Sequence, residues 1–395
     1  MMRFLRLIAT VLLLVVGLLG LAAWSLLPAT IPVSGRFHDF TLDTTVDSED
    51  AKYYIESYAQ GSVDDPELHQ TIEQLKRSFG SRIPDHLDLR RLSNTHSVDF
   101  AALFFADQLL SLGRNASVNQ RFKTNLDRVL RGEDVAVDDA GDITFVLVPG
   151  YDYEATGHAT GADLRSQVGI LGDLGIQVEF VQVDPIGTVL ECADTIGHSL
   201  ARLGQGRYVI AGPSSAGPAI HIALSRLGEG SGVLAWLNLG GTLRGVPLLD
   251  WVQGFPQGVV FDIIVWAQDW RHDSFESLTT RVRRERFAGL SVPKDIQVFN
   301  YISLSLSGDI SDFGWDKYLL MRSDGPNDGL SLLPDLLLPE GHTIVSPRGD
   351  HFFAEDPLIE RKSVAFVMTI LEGLGQKPSG RRLGTSEHRL SQHGS

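Results

Sequence analysis

The residues best suited to chemistry lie where a short apolar run meets a helical one. Residues 207–212 (RYVIAG) read as a strand and run directly into PSSAGPAIHIAL, which reads as a helix from about Ser215 to Leu227. A serine at such a strand-to-helix turn is held on a sharp bend with its hydroxyl exposed. The neighbours two positions away must then be small, because strand and helix nearly touch. Ser214 has Gly212 before it, Ala216 after it and Gly217 next, so the pattern is G-x-S-x-A-G, a departure from G-x-S-x-G. Ser215 would place Pro213 where a small residue is wanted, so it is the alternative nucleophile rather than the first choice. A serine hydroxyl attacks well only when an imidazole takes its proton. A carboxylate must then fix that imidazole's tautomer, and preorganised N–H groups must meet the developing oxyanion. The same residues could equally form an ordinary Gly/Pro/Ser turn, so the surrounding elements decide the reading.

Those elements alternate. Apolar runs at 143–151 (ITFVLVPGY), 178–183, 207–212, 233–241, 298–306 and 342–347 read as strands. Helical stretches at Asp163–Leu174, Thr188–Leu203, Ser215–Leu227 and Leu358–Leu374 separate many of them. Short β-branched runs alternating with helices predict βαβ units: an α/β fold with a mostly parallel sheet flanked by helices. Residues 251–293 break the alternation and read as a cap or insertion. Its aromatic and aliphatic residues could line an acyl pocket, pack as a structural helix or touch a membrane surface. Within it, RVRRERF (281–287) reads as a solvated helix face that could also meet anionic lipid head groups.

The rest of the chain divides by composition. Residues 7–27 carry no charge and follow Arg3 and Arg6. As a helix this run would be roughly 31 Å long, about one bilayer core. It reads as a signal anchor or a cleaved signal peptide, the unbroken length favouring the anchor, and the basic flank predicts that the remainder is exported. The catalytic body would then sit outside the cytoplasm, tethered to the membrane or secreted. Residues 28–49 read as a polar linker with prolines at 28 and 32, and residues 50–140 as an N-terminal helical layer. The polar tail 376–395 reads as disordered.

Composition narrows the classes. The formal net charge is −15, with 49 acidic against 34 basic residues. That balance argues against a nucleic-acid partner, which needs Lys and Arg to replace phosphate counterions. Both ends are basic, so the body is more acidic than the average. One cysteine, Cys192, excludes an intramolecular disulfide framework and a multi-cysteine zinc site; it reads as a small buried hydrophobe. No H-E-x-x-H or phosphate-cradling glycine loop follows a strand, so no metal and no nucleotide cofactor is expected.

Residues 143–375 resemble the α/β-hydrolase superfamily, closest to its lipase and esterase branches. FVLVPGY resembles the strand that supplies part of the oxyanion hole, with Pro149-Gly150 in place of His-Gly. AGPSSAGPA resembles the nucleophile elbow. WLNLGGTLRGVPLLD (236–250), DGPNDGLSLLPD (324–335) and VSPRGDHFF (345–353) resemble the segment after the next strand, the acid loop and the histidine loop. The resemblance implies Ser214 as nucleophile, Asp328 as acid and His351 as general base, with the backbone N–H groups of Tyr151 and Ser215 as oxyanion donors. Among the 12 histidines, His351 alone sits just past the last strand's C-terminal end. His38, His69, His86 and His96 precede the sheet, His158 could line the mouth, His221 packs, and His342 lies at the wrong end of its strand. Asp324 is the main alternative acid and Asp335 a lesser one. Asp350 reads as a loop cap. The implied activity is a serine hydrolase that cleaves a carboxylic ester or related acyl bond of a small-molecule or lipid substrate through an acyl-serine, without a cofactor. A non-catalytic binding or assembly protein of the same fold, and an acyltransferase using the same triad, are the alternatives.

Overall fold

The computed structural model describes residues 28–133, 142–254, 257–267 and 270–375. The anchor or signal reading of residues 1–27 and the disordered reading of 376–395 lie outside them. Among the described residues no helix is long and apolar enough to cross a membrane.

The chain first forms an antiparallel hairpin, β1 (Ile31–Phe37) and β2 (Phe40–Val46), paired from Ile31↔Val46 to Phe37↔Phe40. This corrects the linker reading of residues 28–49. The physical reason is a period of two: Val33 and Phe37 on one strand, Phe40, Leu42 and Val46 on the other, are all buried. The prolines that suggested a linker fall at the beginning of the hairpin, where a missing N–H is tolerated.

Helices follow: α1 (Glu49–Glu56), α2 (Pro66–Phe79), α3 (His86–Thr95), α4 (Val98–Ser111) and α5 (Gly113–Leu130). Ser48, Asp65, Asp85 and Ser97 cap the first four with side-chain oxygens. Helix α4 is buried on every side from Val98 to Leu110. Its largely apolar sequence accounts for that, since such a helix has little to give to water. Phe100, Leu103 and Phe104 share a core with Ile302, Leu304 and Val345 of the sheet, so the helical layer is packed onto the main fold.

The sheet has six parallel strands: β3 (Ile143–Leu147), β4 (Gln177–Phe180), β5 (Arg207–Pro213), β6 (Val233–Leu239), β7 (Gln297–Leu304) and β8 (His342–Pro347). Their spatial order is β4-β3-β5-β6-β7-β8. Side chains alternate between its faces. Phe145, Leu147, Val209 and Tyr301 meet α5, α6 (Arg165–Asp173) and α14 (Ile359–Gly373) on one side. Val146, Ile210, Trp236 and Val298 meet α7 (Val189–Leu203) and α8 (Ala216–Ser225) on the other. The insertion is helical, with α9 (Pro247–Gln253), α10 (Gln257–Ala267), α11 (His272–Ser277) and α12 (Thr280–Phe287). Helix α13 (Asp312–Met321) follows β7.

Two finer expectations change. Residues 281–287 are not simply a solvated face, because Arg283 is fully buried and Arg284 pairs with buried Asp335. Cys192 lies on α7 but is only half-buried. Burial still pushes its thiol pKa up to about 12.

Candidate active site

Chain order reverses beside β3: β4 lies on one side of it and β5 on the other. The crevice at the carboxyl ends of strands around such a switch is where open α/β sheets place ligands. The loops that leave β3 and β5 both open there.

Ser214 follows β5 directly. Its φ is +52°, in the left-handed region that a non-glycine residue enters only at a cost of about 1–2 kcal/mol. The glycines of the motif make that turn possible. A Cβ on Gly212 would lie 2.7 Å from the Ala216 Cβ and 2.9 Å from the Val148 carbonyl oxygen. A Cβ on Gly217 would lie 2.6 Å from the Gly241 Cα. The closest approach is therefore at Gly217 and the segment after β6, which is why alanine is accommodated at 216 while glycine is required one position later.

His351 is reached through a turn after β8 in which Arg348 (φ +61°) and Gly349 (φ +107°) both adopt positive φ. Its Nε2 lies 2.9 Å from the Ser214 Oγ, and its Nδ1 lies 2.8 Å from the Asp328 Oδ2. The two loops are also joined through the backbone, with the His351 N–H donating to the Asp328 carbonyl at 2.8 Å. Both side chains are buried. The other carboxylate oxygen of Asp328 accepts from the N–H groups of Leu330 (3.0 Å) and Ser331 (2.8 Å). Asn327 shapes this turn by accepting from the Gly329 N–H and donating to the Gly325 carbonyl. Helix α13 intervenes between β7 and the acid loop.

Tyr151 and Ser215 line one shallow recess, together with Gly150 and Ala216. The Gly150 N–H donates to the Ala162 carbonyl. The N–H groups of Tyr151 and Ser215 have no acceptor among the described residues, so both are free to meet an incoming oxygen. The insertion packs an aromatic wall on the Tyr151 side chain: the Phe275 ring lies 5.3 Å from the Tyr151 ring, with Phe261 and Trp270 against Phe275.

The alternatives fall elsewhere. Asp324 is partly exposed and faces Arg90 at 3.9 Å. Asp335 is buried against Arg284. The Ser215 side chain makes no capping hydrogen bond and has no imidazole partner among the described residues. His158 is exposed. His221 is buried without a hydrogen-bond partner for either ring nitrogen, and burial, with Arg283 and Arg244 nearby, pushes its pKa down to about 4. His342 begins β8 and stacks on Phe299.

The Asp350 carboxylate accepts from the N–H and Oγ of Ser311 and from the Phe352 N–H, fastening the histidine loop to the start of α13. Its role as a loop cap was legible in the sequence; the Ser311 partner was not, because nothing local links residues that far apart. Burial raises the Asp350 pKa, against the pull of those donors. Among the described residues no group of histidine, cysteine, aspartate or glutamate could hold a metal ion.

A serine after β5, an acid after β7 and a histidine after β8 sit on six parallel strands with helices on both faces. This strand order, with the three residues at the carboxyl ends of its strands, matches the α/β-hydrolase arrangement. No family model matches the sequence, and no curated protein does. Among solved structures, a metagenomic carboxyl esterase is similar at 19% identity and a TM-score of 0.48, over 60% of this chain and 77% of its own. The mature form of a Bacillus licheniformis lipase is similar at 18% identity and a TM-score of 0.45, over 60% and 93%. A thioesterase of the prodiginine pathway in Streptomyces coelicolor is similar at 14% identity and a TM-score of 0.32, over 60% and 93%.

Proposed function

We propose that the protein is a serine hydrolase that cleaves a carboxylic ester or related acyl bond through an acyl-serine on Ser214. The observation that carries this reading is the hydrogen-bonded run Asp328–His351–Ser214, at 2.8 and 2.9 Å, ending on a serine held in left-handed backbone. In the proposed cycle, His351 Nε2 takes the hydroxyl proton as the Ser214 Oγ forms a bond to the acyl carbon. Asp328 accepts from Nδ1 and stabilises the imidazolium. The N–H groups of Tyr151 and Ser215 stabilise the oxyanion. The tetrahedral adduct collapses as the bond to the alcohol breaks, and His351 returns the proton to the departing oxygen. Water, deprotonated by the same imidazole, attacks the acyl-serine and releases the acid. No cofactor enters these steps. The distances lend no support to a non-catalytic role, and the aromatic wall from the insertion suits an apolar acyl group.

A fluorophosphonate probe tests this. The purified protein is expected to be labelled, and Ser214→Ala to abolish labelling while Ser215→Ala retains it. Labelling that disappears only in Ser215→Ala would move the nucleophile, and absence of labelling in folded protein would overturn the reading. Product analysis with a competing alcohol separates hydrolysis from acyl transfer. We also propose that residues 7–27 hold this body at a membrane, which resistance to carbonate extraction, lost on their deletion, would test.

A further inference from the structure

The basic run 281–287 contributes to a second feature that the proposed hydrolysis does not use. A groove lies between the α2–α3 turn, the loop after Ser331 and helix α12. Arg82, Arg114, Arg244 and Arg284 all line it, in a chain whose net charge is −15.

The arginines are held in place, but not by enough negative charge. Arg244 Nη1 donates to the carbonyls of Pro334 and Leu337 at 3.0 Å each, and its guanidinium stacks 3.9 Å over the Phe287 ring. Arg114 donates to the Pro339 carbonyl. Neither Arg114 nor Arg244 forms an ion pair with a carboxylate among the described residues. Arg284 pairs with Asp335 at 2.7 Å, but its Nε is buried without an acceptor among the described residues. Arg82 is engaged by Asp88. Asp85, which also lines the groove, is spent on capping α3. Arg283, next to Arg284 on α12, is fully buried, with no acceptor for any of its three guanidinium nitrogens among the described residues. Its pKa is pushed down to about 10 by burial and by Arg286. Buried charges in proteins are paired, and guanidinium forks fit oxyanions. Around Arg244, Arg283 and Arg284 the one carboxylate in hydrogen-bond contact among the described residues is Asp335, and Glu340 acts on Arg244 from farther off, so three guanidiniums face two carboxylates.

We propose that this arginine-lined groove binds a phosphate group, either free or as the head group of an anionic lipid. Several guanidiniums lining one groove from separate elements suit a tetrahedral anion carrying between one and two charges at neutral pH. The site is separate from Ser214 and does not depend on the proposed hydrolysis.

The test is calorimetric titration of the full chain, in neutral detergent, with inorganic phosphate. Saturable binding is expected, weakened at least about tenfold in Arg244→Gln and in Arg114→Gln, as loss of a charge-assisted contact requires. Arg114 is exposed at the groove's rim, so its replacement keeps the test open if Arg244→Gln does not fold. Unchanged unfolding midpoints without phosphate would show that both variants are intact. Sedimentation with phosphatidylcholine vesicles, with and without phosphatidic acid, separates the two sources. A phosphatidic-acid increment lost in Arg244→Gln and Arg114→Gln identifies the head group; phosphate binding without that increment identifies the free anion. Either result supports the site. Absence of both, or binding that neither substitution weakens, would overturn it.

Discussion

Asp328→Asn is the substitution on which the proposed mechanism depends most sharply. The carboxylate is oriented by two backbone donors, the N–H groups of Leu330 and Ser331, which both point at Oδ1. In asparagine that oxygen remains an acceptor, so these bonds hold the amide with its NH2 group at the former Oδ2 position. That NH2 group faces His351 Nδ1 at 2.8 Å, where two donors cannot meet. The imidazole must therefore present a bare Nδ1 and carry its proton on Nε2. Nε2 lies 2.9 Å from the Ser214 Oγ and would then be a donor, unable to take the serine's proton. The fold has no reason to change, because the side chain is isosteric and its backbone bonds persist. The expected loss in kcat is about 10⁴-fold, the size of effect known for a reversed tautomer in a serine triad, or about 5 kcal/mol of barrier. The assay is fluorophosphonate labelling rate, with turnover of an activated ester beside it. Asp324→Asn serves as the control: its carboxylate is partly exposed and 3.9 Å from Arg90, and its rate should stay within about twofold of the wild type, as expected of a weak surface pair. Labelling of Asp328→Asn within about tenfold of the wild type, with the unfolding midpoint unchanged, would refute the argument that this carboxylate sets the tautomer.

Two further outcomes concern the scaffold. Ser214→Gly and Ser214→Ala both remove the hydroxyl, but only glycine relieves the left-handed φ of +52°; the glycine variant should be more stable by about 1 kcal/mol, read by denaturant titration, and equal stabilities would show that the turn is not strained. Asp107, buried on α4, is opposed by burial but is held near a pKa of about 2 by His38, Lys76 and Tyr54. A carboxyl with a depressed folded-state pKa gives stability that is complete above its unfolded pKa of about 3.9 and is lost as pH falls toward 2, here about 2–3 kcal/mol. Asp107→Asn should therefore destabilise the protein by about that amount at pH 7 and by much less near pH 2; an equal effect at both pH values would remove the linkage.

What the sequence made legible follows from how local each signal is. The sheet strands were readable because each is a short apolar run bounded by turn residues, and the elbow because strand, serine and glycines are contiguous. The hairpin at residues 31–46 obeys the same period of two, but its alternation is diluted by exposed polar residues, and Pro32 reads as a breaker unless it is known to begin a strand. The run RVRRERF marks the opposite limit. It has the composition of a solvated face, and Arg281, Glu285 and Arg286 are indeed exposed, yet Arg283 is fully buried. Composition cannot separate these positions, because the inward direction is set by what α12 packs against. Phe287, one turn after Arg283, lies 5.2 Å from the His221 ring of α8, which in turn rests on Trp236 of β6.

The proposed catalytic side chains lie between these limits. Ser214 was readable from contiguous residues, whereas Asp328 and His351 were readable from the order of segments in the family resemblance, and His351 also from its place just past the last strand. What fixes them in space is long-range: the His351 N–H bonded to the Asp328 carbonyl, and Asp350 bonded to Ser311. A site assembled from separate loops is therefore legible in its residue types and chain order, while its geometry depends on backbone contacts that no local pattern encodes.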